Sequence, residues 1–170
     1  LLDVGRRDAF ARDVLNANAS LKNLEERDAG FTRRLVLGVT ATSGCLDDFL
    51  QQCSDPKTRF NPRVRCALRI AIFELLYLDA PANVAVSQGV ELVRSQSRGA
   101  AGLANAVLHR AASNRSSFRE AEGVDPVHVR IVSLARKSGT PVWLARNIED
   151  SLGQDAARDV FASELTPAPV

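Results

Sequence analysis

"FNPRVRCALRIAIFELLYLDAP", residues 60–81, decides the fold class. Val64, Leu68, Ile72, Leu75 and Leu76 recur at helical spacing along one side, and apolar residues cover more than half the girth. Asn61 supplies an N-cap, Pro62 fits the first turn where no amide hydrogen is needed, and Pro81 forbids continuation. A helix apolar over so much of its surface belongs at the centre of a bundle of other helices.

Its neighbours read the same way. Upstream, "RRDAFARDVLNAN" places Phe10, Val14 and Ala17, with Ala11 and Leu15, at amphipathic spacing. From Asp28, "DAGFTRRLVLGVTA" repeats the pattern through Phe31, Leu35 and Val39, and a short helix is predicted across "CLDDFLQQC". Downstream, "ANVAVSQGVELVRSQS" carries Val86, Val90 and Val93 on one face. In "AAGLANAVLHRA", residues 100–111, Leu103, Ala104, Val107, Leu108 and Ala111 share one arc with Asn105 at its border. That position predicts a half-buried amide with a structural role, tying the helix to a neighbouring segment. Stranding its partners would cost roughly 1–3 kcal/mol.

The polar stretch "SNRSSFREAEGV", residues 113–124, reads as a linker. Beyond it Asp125 and Pro126 open one helix. Thr140 and Pro141 open a second, which carries Leu144, Ile148 and Leu152 and ends at Gly153. A last helix runs from Asp155 to about Leu165. No segment alternates as a strand would. The expectation is an all-α chain: a helical bundle over residues 1–112, the linker, and further helices over 125–170.

Composition narrows the function classes. With 170 residues, 45% hydrophobic and 25% charged, the chain is long enough for a real core and is not disordered in character. No apolar run approaches the roughly 18 residues of a membrane span, and "LLDVGRRDAF" turns charged too soon for a signal peptide. The chain therefore reads as cytoplasmic, with no membrane partner. Net charge is only +2, but the basic residues are 19 Arg against 3 Lys, and arginine is the better phosphate fork. Cys45, Cys53 and Cys66 form no CxxC pair and have only His109 and His128 beside them, so buried reduced thiols are expected and no metal site. The acidic pairs Glu25–Glu26 and Asp47–Asp48 are adjacent in sequence, point apart on a helix and read as solvated surface. GxSxG, HExxH, P-loop and GxGxxG patterns are all missing, so no catalytic residues are assigned.

Taken in order and spacing, several segments resemble the NusB family. They are Asp28 with Phe31, "LVLGV" at 35–39, "LDDFL" at 46–50, "RVRCALRIAIFELLYL" at 63–78, Pro81, "AVSQGVELVR" at 85–94 and "GLANAVLHR" at 102–110. The chain departs from the family pattern at Gln88, usually acidic, and at Leu103 and Ala104, usually a bulkier pair. The resemblance implies a NusB-like helical bundle that binds RNA. The tail "TPVWLARNIEDSLGQDAARDVFASELTPAPV", residues 140–170, is similar to the connector of the Sun/Fmu/RsmB-type ribosomal RNA cytosine-C5 methyltransferases, which leads from a NusB-like domain into the catalytic domain. The tail thus implies a fragment whose partners are ribosomal RNA, of the small subunit, and its own C-terminal methyltransferase domain. S-adenosylmethionine is expected in that absent domain and no cofactor in this fragment.

Arg6, Arg7 and Arg12 fall where the family's RNA-facing N-terminal helix is similarly Arg-rich, which implies phosphate contacts. Arg33, Arg34, Arg94, Arg98 and Arg110 are further RNA-binding candidates. The same residues also read as a solvated face, with Asp8 and Asp13 interleaved in the first helix. Because most aromatics fall at core-periodic positions, structured RNA gripped through its backbone fits better than single strands read by stacking. Two other functions stay open: a transcription antitermination factor acting through RNA and a ribosomal protein, and a protein–protein docking domain in which the helices from Asp125 meet a catalytic domain.

Overall fold

The computed structural model describes residues 1–7, 9–119, 123 and 125–164, with the side chains of Arg6, Arg7, Arg119, Ser163 and Glu164 outside the description. Among the described residues the chain is all-α, with no strand. It divides into two units, Leu1–Ser113 and Asn114–Val170. The first contains α1 (Leu2–Arg7), α2 (Ala11–Ala17), α3 (Ala19–Lys22), α4 (Glu26–Ala41), α5 (Ser43–Gln52), α6 (Pro62–Tyr77), α7 (Ala82–Gln96), a 3-10 turn (Arg98–Ala100) and α8 (Ala101–Ser113). The second contains α9 (Arg115–Arg119), α10 (Pro126–Ser138), α11 (Val142–Leu152) and α12 (Gln154–Glu164).

The first unit is organised around α6, which touches α1, α4, α5, α7 and α8. The Asn61 side-chain oxygen accepts from the Arg63 amide (2.9 Å), and Pro62 occupies the first turn. The helix ends before Pro81 is reached. Asp79 takes a left-handed conformation (φ 51°), and the Ala80 amide bonds back to the Glu74 carbonyl (3.1 Å), closing the terminus. Leu68, Ile72, Leu75 and Leu76 are buried on one side as the spacing predicts, and Ala67, Ala71 and Phe73 widen that face. Close helix approach is bought by glycine at two points. A Cβ at Gly89 of α7 would lie 2.5 Å from Ala71 Cβ and 2.7 Å from Leu108 Cδ1, and one at Gly38 of α4 would lie 2.2 Å from Phe73 Cζ.

Asp47 of α5 and Arg69 of α6 form a two-pronged ion pair, with Arg69 Nε 2.7 Å from Asp47 Oδ1 and Arg69 Nη2 on Asp47 Oδ2. Asp47 is therefore not simply solvated surface as its neighbour Asp48 is. Glu74, half-buried on α6, has its carboxyl pKa raised by desolvation. A raised acid pKa means the folded state holds the proton more tightly than the unfolded chain. Stability is lost as pH rises from the ordinary carboxyl value of 4.5 through the raised one. Glu74→Gln is thus expected to raise the melting temperature at pH 7 and to leave it unchanged below about pH 4. Paired thermal melts at the two pH values check this. An equal shift at both would assign the gain to packing instead.

Further sequence expectations are corrected in this unit. The N-terminal pattern is not one helix: Phe10 is extended (φ −64°, ψ 131°) and 82% exposed, because α2 starts after it and buries Ala11 and Leu15 instead. Ala17, expected on the buried arc, is exposed. Phe31 is exposed on α4. Asn105 is exposed, not half-buried. The buried arc of α8 is Ala104, Val107, Leu108 and Ala111, narrower than the hydrophobic arc, and the exposed Leu103 and Asn105 fall to either side of it.

The second unit has its own small core of Ile131, Ala135, Ala145, Ala157 and Phe161, with Leu134, Val142 and Ile148 packed against it. The segment read as a linker contains α9, whose Phe118 is buried beneath the Arg136 guanidinium, 5.3 Å from the ring centroid. Asp125 caps α10 through the Val127 amide (3.0 Å), as predicted. Thr140, however, does not cap α11. Gly139 ends α10 in the left-handed conformation (φ 74°), and the Thr140 amide reaches back to the Ala135 carbonyl (3.0 Å). Pro141 is left as the cap residue of α11. Leu152, at the last position of α11, is exposed.

Candidate nucleic-acid interface

Among the described residues no group of three His, Cys, Asp or Glu side chains comes together as a metal site would need. Cys45 and Cys53 are buried thiols, and Cys66 is only half-buried. Cys66 borders a largely apolar groove of about 420 Å³ beside α1, whose lining also includes Asp3 and Arg63. Exposed arginines are the groups that could meet a phosphate backbone, so the candidate site is built from them.

α2 packs on α4, with Leu15 against Ala29 and Val36. At 100° per residue Arg12 stands about 60° from Leu15, and Arg33 about 40° from Ala29. Both are exposed, so the structure brings them to the borders of one helix contact. Asp13 lies about 100° from Arg12 on α2, so the acid and the base point apart. The predicted partners Arg6 and Arg7 lie on α1, but their side chains are outside the described residues.

Arg34 is exposed on α4 toward the other side, one turn from the exposed Phe31. Arg27, also exposed, completes an Arg27–Phe31–Arg34 stripe at spacings of four and three residues. Sequence reading passed over Arg27, although that spacing is visible in the chain.

The remaining candidates lie on other elements. Arg94, on α7, is ion-paired with Glu91 one turn earlier, which neutralises much of its charge. Arg98 is exposed on the 3-10 turn that follows. Arg110 donates through Nη1 to the Cys53 carbonyl (3.3 Å), tying α8 to the end of α5, so part of its guanidinium is committed to the fold. Thus the six predicted arginines whose side chains are described are spread over α2, α4, α7, the 3-10 turn and α8. Arg12 and Arg33 flank one helix contact, Arg94 and Arg98 mark the end of α7, and Arg110 is a partly structural tie.

No helix among the described residues is long and apolar enough to cross a membrane. The chain is 25% identical over 170 residues to the "Probable ribosomal RNA small subunit methyltransferase B" of Bacillus subtilis (strain 168), a match covering 98% of this chain and 37% of the relative. Rv1407 of Mycobacterium tuberculosis (strain ATCC 25618 / H37Rv), which carries the name methyltransferase, is 29% identical over 153 residues, covering 88% of this chain and 34% of its own length. The chain therefore spans about a third of the length of these curated relatives. No solved structure matches it at a significant level. The sequence pattern of the NusB family runs from residue 2 to residue 113, through the whole first unit, and this chain belongs to the NusB family.

Proposed function

We propose that this chain is the RNA-binding portion of a ribosomal RNA cytosine-C5 methyltransferase, holding small-subunit ribosomal RNA for a catalytic domain carried elsewhere in the same protein. The observation that carries this reading is the extent of the similarity. The family pattern stops at residue 113, whereas the match to the Bacillus subtilis relative covers 98% of the chain and so takes in the second unit as well. A free-standing antitermination factor gives no account of those added helices. On this reading S-adenosylmethionine binds in the catalytic domain, and the present residues supply affinity and orientation.

Exposed arginines on a rigid helical frame suit that task. Each guanidinium placed on a phosphate releases counterions, so affinity falls steeply with salt while sequence preference stays small. Filter-binding titrations of the chain against small-subunit ribosomal RNA fragments at two salt concentrations test the proposal. Binding at low salt that weakens along a log–log line is expected, with a slope of about 0.9 for each duplex phosphate engaged. Absence of binding at low salt would overturn it.

A further inference from the structure

We propose that Trp143 and Arg146, on α11, form a contact site for an unpaired RNA nucleotide, the base stacking on the indole and its phosphate meeting the guanidinium. The inference rests on the RNA-binding reading above and adds to it a second kind of contact, in the second unit.

Trp143 is the only tryptophan of the chain and is 65% exposed. It is not at the edge of a core. On α11 the buried Ala145 lies about 160° away, and the half-buried Leu144 and Ile148 flank the buried side. The indole therefore projects from the solvent side of its helix. Leu152, the other large apolar side chain exposed on α11, lies about 180° from Trp143 and shares no patch with it. The nearest residues on Trp143's own face are Arg146 and Asn147, one turn on, and both are exposed.

Arg146 also has a neighbour across the helix pair. Its Nη2 lies 3.4 Å from Nδ1 of His128 on the neighbouring α10, and Arg146 stands about 60° around α11 from Trp143. Asp150 shares the face but sits two turns beyond Trp143, about 10 Å along the axis, which leaves the Arg146 side as the place for a phosphate. A solitary exposed aromatic with an exposed cation beside it suits a nucleobase and its phosphate. The sequence, which favoured backbone grip alone, gave Trp143 no role outside the core.

Because Trp143 is the sole tryptophan, its emission reports on this site directly. The test titrates the chain with a short fluorescein-labelled single-stranded oligoribonucleotide and with its duplex form, following label anisotropy and tryptophan emission together. Saturable quenching by the single strand, with the same midpoint as the anisotropy, is expected. By anisotropy Trp143→Ala should weaken single-strand binding roughly five-fold or more, with Trp143→Phe retaining part of it. Arg146→Ala should lower the salt slope by about 0.7, the value for one single-strand phosphate contact. Anisotropy that reports RNA binding while tryptophan emission stays constant would overturn this site and leave the RNA-binding reading standing. Absence of any anisotropy change at low salt would overturn both. A blue shift that grows with protein concentration and needs no RNA would assign Trp143 to self-association and also overturn the site.

Discussion

Leu68→Ala is expected to lower the stability of the Leu1–Ser113 unit by about 2–5 kcal/mol, the range for truncating a fully buried leucine. Leu68 has no exposed surface and lies on α6, the helix that every large element of the unit touches. The lost methyl groups forfeit their transfer free energy, and the space they leave cannot close easily. Leu46 and Ile72 are equally buried, and the tight seat of Gly89 on Ala71 and Leu108 limits how far α7 and α8 can move inward. Asn105→Leu serves as the contrast. Its side chain is exposed on α8, and leucine is the better helix former, so the change should stay within about 0.5 kcal/mol or stabilise slightly. Denaturant melts of the three proteins, read by helical circular dichroism, decide the matter. A small loss for Leu68→Ala would mean that α6 is not the centre of the bundle, and a large loss for Asn105→Leu would restore the amide to the core.

These two positions also show what the sequence can carry. α6 was legible because its evidence is local: a cap, a proline at each end and an apolar surface so broad that any packing direction buries Leu68 and Ile72. The buried arc of α8 was not, since its width depends on how closely α7 approaches, and that is set by Gly89 and Ala71 on other helices. Phe10 was misread for a similar reason: helical periodicity assumes an unbroken helix, and the backbone turns extended at that residue. At the candidate interface, the Arg94–Glu91 pair was readable as neighbours one turn apart. The Arg110 tie to Cys53, 57 residues away, and the Asp47–Arg69 pair, 22 residues apart, depend on tertiary packing and leave no trace in spacing. Composition supplies the arginines, and the fold decides which of them are free.

That division sets the largest expected effect on binding. Arg12→Ala with Arg33→Ala removes two exposed guanidinium groups that flank the α2–α4 contact, neither with an ion-pair partner among the described residues. If each meets a duplex phosphate, the double variant should lower the salt slope of RNA binding by about 1.8, at 0.9 for each contact. Affinity should fall by a similar factor for every RNA sequence tried, because phosphate contacts carry no base information. Stability should hardly change, since exposed charges contribute little. Arg94→Ala is the internal comparison. Glu91 already neutralises much of that charge, so removing it should alter the slope less than removing either Arg12 or Arg33 alone. Slopes measured by filter binding over the same salt range give the answer. A double variant that binds like the parent at low salt, with the same slope, would return the α2–α4 arginines to ordinary solvated surface and move the RNA contacts elsewhere on the chain.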